Sequence, residues 1–206
     1  MSLVVLPFSK QALNQALEIL KSGGVVAHAT ETCYGFACDL SNPEAVKRLF
    51  DLKKRPYDSP VSALFPTVAE AKKFVEWNEE AGKLAKKYLP GPLTLVLPIK
   101  NPPSFLPSPG TGEGSGVGAL GIRISSHPLA CELAERFGKP LSTTSANVHG
   151  EKNTYSAAEI IEQFMFQEIK PDMIIDSGKM IETPSSTVID LTSGKGKILR
   201  KGVVGD

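Results

Sequence analysis

Between residues 9 and 29 the hydrophobic period of the chain changes once, and that change restricts the folds open to it. Leu13, Ala16, Leu17 and Leu20 fall at i, i+3, i+4 and i+7, one face of a helix that Ser9 can cap and that runs to about residue 22. Gly23 and Gly24 stop it. Residues 25–29 (VVAHA) are then uniformly apolar but too short for a helix, which reads as a buried strand. A helix that passes through two glycines into a buried strand needs a sheet with helices laid against it.

The rest of the chain repeats this grammar without strict alternation. Residues 30–41 read as a loop with a short strand. Asn42-Pro43 opens a helix to about 52, an N-cap followed by proline at the first helical position. Residues 53–60 carry two prolines and must be irregular. A strand is predicted over 61–65. Thr67 and Glu70 form a capping box for a helix to about 77. A further helix is predicted over 79–88, with strands over 93–99 and 120–124 and a helix over 128–137 ended by Gly138. A strand over 140–143, a helix capped by Ser156, and strands over 173–175, 187–191 and 198–199 complete the reading. The expected class is α/β, a twisted mixed sheet flanked by helices, in a single domain spanning 1–206. Residues 100–118, rich in Pro, Gly and Ser, are expected to form a flexible loop or flap.

Composition narrows the partners. With 206 residues, 41% hydrophobic and 22% charged, the chain is an ordinary globular one. A net charge of +1 argues against a dedicated nucleic-acid binder. Three cysteines cannot form a disulfide framework, which predicts reduced thiols and a cytoplasmic protein. Residues 1–8 are too short and lack the charged start of a signal peptide, and no run is long enough to cross a membrane.

Three segments can carry chemistry. Lys47, Arg48, Lys53, Lys54 and Arg55 crowd one stretch. Lys47 and Arg48 read as a solvated helix end, where Lys47 can pair with Asp51 one turn on. Lys53 and Arg55, beside Pro56, are expected past the helix end, either as a solvated terminus or as a point charge and a forked guanidinium for phosphate. Ser142-Thr143-Thr144-Ser145-Ala146-Asn147 follows a strand, where open α/β sheets bind ligands, although the same residues make turns and caps. A serine nucleophile is disfavoured, because there is no G-x-S-x-G elbow. Arg123 stands among apolar strand residues, facing either solvent or a cleft where it would clamp a carboxylate. The glycine-rich 110–118 stretch has no helix behind it and is no phosphate-binding fingerprint. His28, Cys33 and Cys38 lack the spacing of a zinc site, so no metal site is expected and the two thiols are read as buried.

In order, Gly23-Gly24-Val25-Val26, Thr30-Glu31-Thr32-Cys33-Tyr34-Gly35, Lys53-Lys54-Arg55-Pro56, Pro90-Gly91-Pro92-Leu93-Thr94, Gly121-Ile122-Arg123 with His127-Pro128, Ser145-Ala146-Asn147 with Gly150, Ser185-Ser186-Thr187-Val188-Ile189-Asp190 and Leu199-Arg200 resemble the YrdC-like family, the threonylcarbamoyl-AMP synthases. The resemblance spans about 10–202. It implies a YrdC-like fold with a concave basic cleft. It also implies condensation of L-threonine, bicarbonate or CO2, and ATP into threonylcarbamoyl-AMP and pyrophosphate, for threonylcarbamoyladenosine formation in tRNA. By the same resemblance, Lys53 and Arg55 would hold phosphates and drive the reaction. Arg55, Ser59, Ser145, Asn147, Asn153 and Arg200 would bind ATP, while Thr32, Arg123, Thr143 and Ser186 would hold threonine. Mg²⁺ would accompany ATP without a protein cage. Downstream tRNA threonylcarbamoyl-transfer machinery is the implied partner. The alternatives are a protein that binds double-stranded RNA or tRNA, or a paralogue adenylating a different carbamate. Leu64 and Ala119 depart from the family pattern near the expected threonine site.

Overall fold

The computed structural model describes residues 3–57, 59–100 and 118–204. The first half runs β1 (Val4–Pro7), α1 (Lys10–Lys21), β2 (Val26–Ala29), β3 (Tyr34–Ala37), α2 (Pro43–Lys53), β4 (Ser62–Leu64), α3 (Val68–Ala71), α4 (Glu79–Tyr88) and β5 (Leu93–Pro98). The second half runs β6 (Ala119–Arg123), α5 (Pro128–Phe137), β7 (Leu141–Ser142), β8 (Thr144–Ser145), α6 (Ala157–Phe164), β9 (Met173–Asp176), β10 (Thr187–Asp190) and β11 (Lys197–Arg200). The expected mixed α/β class is what forms, but the strands divide into two sheets. One has the order β1-β9-β2-β3-β8 and the other β11-β10-β5-β6-β4-β7.

Local chemistry explains most boundaries. The side chains of Ser9, Asn42, Asn78 and Ser156 each accept a backbone N–H at the start of a helix, satisfying donors that the helix cannot. Gly138 closes α5 at φ +74°, a conformation glycine adopts without a Cβ clash. Val26 of β2 and Met173 and Ile175 of β9 pack with Leu13, Leu17 and Leu20 of α1 and Leu129 and Leu133 of α5. Ala27 and Ile174, one residue over, point to the opposite side, into a core shared with α2, α6 and the second sheet. Both faces of the first sheet are therefore covered, which is why residues 25–29 carry no polar alternation apart from His28.

Four expectations need correction. The strand β1 was not anticipated; it pairs in parallel with β9. The helix expected to reach residue 77 stops at Ala71, although Thr67 caps it as expected. The backbone of 74–76 turns instead to the end of β5, with Glu76 N donating to Pro98 O at 2.8 Å and Lys100 N donating to Phe74 O at 2.8 Å. Lys53 lies inside α2 as its last residue, not beyond it. The strand expected over 140–143 is two strands, β7 in one sheet and β8 in the other, so the chain changes sheets at Thr143. The expected flap at 100–118 falls almost wholly on 101–117, outside the described residues.

Candidate active site

Where the chain changes sheets, the two sheets leave a cavity of about 670 Å³ between them. Its floor follows from strand alternation. In β5, Leu93, Leu95 and Leu97 enter the core while Thr94 and Val96 face the cavity; in β6, Leu120 and Ile122 enter the core while Ala119, Gly121 and Arg123 face it. Thr94 lies opposite Arg123, and Val96 opposite Gly121. This register settles the orientation of Arg123: it faces the cleft and not solvent. Gly121 keeps the floor open, since a Cβ there would sit 2.5 Å from Ser62 Oγ.

The opposite wall is the β2–β3 hairpin. Its loop, residues 30–33, is tied by Thr30, whose Oγ1 donates to Cys33 O at 2.7 Å and accepts from Thr32 N at 3.2 Å and Cys33 N at 3.3 Å. Thr30, Thr32 and Cys33 line the cavity. Burial pushes the Cys33 thiol up, so it stays protonated.

Among the described residues, four cations line the space: Lys53, Arg55, Arg123 and Arg200. Lys53 is 3% exposed. Its Nζ donates to Ser145 O at 2.5 Å, Asn147 O at 2.8 Å and Asn147 Oδ1 at 3.1 Å, which occupies all three hydrogens. Burial, followed by the Arg55 charge, lowers it to about 7. Ser145 Oγ donates to Asn147 Oδ1 at 2.6 Å, and Asn147 Nδ2 donates to Glu151 O at 2.5 Å, so Lys53 is the hub of a folded polar loop. Lys54 caps α2 in the left-handed conformation, and Arg55 follows with Nη2 donating to Pro60 O at 2.6 Å and Nη1 to Thr144 Oγ1 at 3.4 Å. Its Nε is buried without a partner. Arg200 donates to Ser186 O and Ser186 Oγ, both at 3.0 Å, and Ser186 Oγ lies 3.1 Å from Thr94 Oγ1. Among the described residues, only Arg123 of these four cations has an ion-pair partner, Glu31. No carboxylate among the described residues lines the cavity.

A family model described as telomere recombination, covering Sua5, YciO and YrdC, matches residues 18–202. The chain belongs to the Sua5/YciO/YrdC family. A threonylcarbamoyl-AMP synthase of Pyrococcus abyssi is 36% identical over 188 residues, covering 91% of this chain and 53% of the relative. The chain thus spans about half the length of that relative. A putative threonylcarbamoyl-AMP synthase of Methanocaldococcus jannaschii is 32% identical over 200 residues, covering 95% of this chain and 90% of the relative. The crystal structure of Pyrococcus abyssi Sua5 complexed with L-threonine superposes with a TM-score of 0.83 at 34% identity, covering 97% of this chain and 56% of that one.

Against this Sua5/YciO/YrdC framework, the cavity gathers Thr32, Lys53, Arg55, Ser59, Arg123, Thr143, Ser145, Asn147, Ser186 and Arg200 from across the sequence. Asn153 does not line it but stands one residue behind, its Nδ2 donating at 3.0 Å to Ser185 Oγ, which does line it. Leu64, the departure expected beside threonine, is fully buried against the α1 and α5 core and lies outside the lining, whereas Ala119 is part of it. Sequence reasoning missed Thr30, Cys33, Thr94 and Ser185 as lining residues, while Thr144 belongs to the 142–147 stretch it read as a ligand-binding candidate. For Thr94 the signal was present: it is the one polar residue in the alternating strand Leu93–Pro98. Among the described residues, no group of His, Cys, Asp and Glu has the arrangement of a metal site. No described helix is long and apolar enough to cross a membrane.

Proposed function

We propose that this chain is an L-threonylcarbamoyladenylate synthase, condensing L-threonine, bicarbonate or CO2, and ATP into threonylcarbamoyl-AMP and pyrophosphate. The observation that carries the reading is the unequal charge of one cavity. Three cations without carboxylate partners among the described residues, Lys53, Arg55 and Arg200, suit a polyphosphate; one arginine already paired with Glu31, Arg123, suits a single carboxylate. The names of the relatives point the same way.

The threonine amine adds to CO2 and loses a proton, forming a carbamate. One carbamate oxygen attacks the α-phosphorus of ATP; the bond from that phosphorus to the bridging oxygen breaks, and pyrophosphate leaves with the electron pair. The chain forms no covalent bond to either reactant, so its contribution is placement and charge. Arg55 and Arg200 take phosphate oxygens, and Ser59, Ser145 and Asn147 line the nucleotide, with Asn153 setting Ser185 from behind. Lys53 shapes this end by holding the 145–147 loop and adds its charge to the phosphate field. Arg123 receives the threonine carboxylate between Thr32, Thr143 and Ser186. Magnesium would enter as part of the Mg–ATP substrate and offset phosphate charge; among the described residues the lining offers hydroxyls and amides and no carboxylate for it. The product, a mixed anhydride, is consumed by transfer of its threonylcarbamoyl group to tRNA, in the cytoplasm.

The test is pyrophosphate release from ATP, Mg²⁺ and bicarbonate with and without L-threonine, with serine as control. Release that needs both threonine and bicarbonate is the expected result. Release with another amino acid moves the substrate to a different carbamate. No release, together with salt-dependent binding of tRNA or double-stranded RNA, overturns the enzyme reading.

A further inference from the structure

Glu31 occupies the tip of the β2–β3 hairpin in one sheet and reaches Arg123, the last residue of β6 in the other. Its Oε1 accepts from Arg123 Nη2, and its Oε2 accepts from Ser125 Oγ and, at 3.2 Å, from Ser126 N. Ser125 Oγ is itself set by His127 N, which donates to it at 3.1 Å. The carboxylate is thus held on three sides and has little freedom to turn. Arg123 is 4% exposed, and its Nη1 is buried with no partner. Glu31 therefore engages one nitrogen of the guanidinium and leaves the other without an acceptor.

The same pairing changes the field of the cavity. A triphosphate is attracted to every unscreened cation within reach, and four lie in one space. Without Glu31, Arg123 would compete with Arg55 and Arg200 for phosphate oxygens. With it, the Arg123 end is neutral overall and presents hydrogen-bond donors rather than a net charge. We propose that Glu31 is a positioning and charge-sorting residue that aims Arg123 Nη1 at a substrate carboxylate and keeps phosphate groups out of that end of the cavity. The identity of the two ligands rests on the synthase reading; the sorting itself does not.

Inorganic pyrophosphate is the probe, titrated calorimetrically into the full chain with and without L-threonine, alongside steady-state KM values for threonine and ATP. In the unaltered protein, threonine leaves pyrophosphate binding unchanged. Glu31→Gln keeps the size and an acceptor but removes the charge. It is expected to tighten pyrophosphate about tenfold and to make threonine compete with it. The same variant is expected to raise the KM for threonine about tenfold while the KM for ATP and kcat move less than about threefold. A residue that only straps the two sheets together would lower the melting temperature without this split. Ser125→Ala, which frees Glu31 without removing it, should shift threonine KM and pyrophosphate binding in the same direction by about threefold. It keeps the test open if Glu31→Gln does not fold. Unchanged pyrophosphate affinity and unchanged threonine competition in the folded variant overturn the proposal. If the unaltered protein releases no pyrophosphate from its substrates and Glu31→Gln still tightens pyrophosphate, the synthase reading falls and the sorting stands.

Discussion

Lys53 shows how one residue links pH to the site. Three oxygens, from Ser145 and Asn147, require three donors, and only the protonated amine supplies them. Burial and the neighbouring Arg55 lower Lys53 to about 7, so the proton is held below that pH and lost above it. Deprotonation removes one donor from the 145–147 loop and one positive charge from the phosphate end. The KM for ATP is therefore expected to rise as pH climbs from about 7 to 9, and Lys53→Arg, whose charge does not titrate in that range, should flatten this limb in a pH profile. The arginines separate by ligand. Arg55→Ala is expected to raise the ATP KM by about tenfold or more with little change for threonine, and Arg123→Ala should do the reverse. Steady-state kinetics with each substrate varied in turn decides it: an ATP effect from Arg123→Ala, with threonine unaffected, would reverse the assignment of the two ends. Some residue placements were legible in the sequence. The Lys47–Asp51 pair expected from i, i+4 spacing forms at 2.8 Å, whereas Arg48, expected to be solvated, pairs with Asp172, which lies far along the chain.

At the scale of elements, the site is a product of strand register. Ser62 of β4, Gly121 of β6 and Val96 of β5 lie side by side, because the β4–β6 and β5–β6 pairings align them. A methyl group at 121 meets Ser62 Oγ at 2.5 Å, Ser62 Cβ at 3.1 Å and Ser62 Cα at 3.2 Å, so β4 and β6 would have to separate. Gly121→Ala is expected to cost about 1–3 kcal/mol of stability and to weaken both substrates, read by denaturant unfolding and by KM values. Helices behaved more locally. The caps at Ser9, Asn42 and Ser156 stand where their sequence patterns placed them. The helix after Thr67 shows the limit of that signal: Thr67 Oγ1 accepts from Glu70 N, but the Glu70 carboxylate turns to Lys73 instead of closing the box, and Val75 bridges to Ile99 and turns the chain into sheet contacts after one turn.

At the scale of the whole molecule, the cavity joins two sheets that also meet through the shared core, the crossing at Thr143 and the Glu31–Arg123 pair. A ligand that touches Lys53 and Ser145 on one side and Arg123 and Arg200 on the other ties both sheets together, and binding to the folded state alone raises stability by mass action. Mg–ATP at a hundredfold excess over its dissociation constant is expected to add about 2.7 kcal/mol, a rise of roughly 5–10 °C in melting temperature. Thermal denaturation with Mg–ATP, threonine, and both together checks this. A shift below about 1 °C at saturating nucleotide would mean that the cavity does not bind it.

By itself, the sequence determined the α/β class, most helix starts, the buried strands and the residue types able to hold phosphate and carboxylate. These follow from periodicity, capping and side-chain chemistry, which act over a few residues. The tertiary structure alone decided that the strands form two sheets, that Arg123 faces the cleft, and that Leu64 does not. It also decided that Lys53 is held by carbonyl groups and that Glu31 reaches Arg123 across the gap. Each of these depends on register or on contacts between residues some ninety positions apart, and nothing local in the chain encodes which of two faces a strand residue presents until its neighbours are in place.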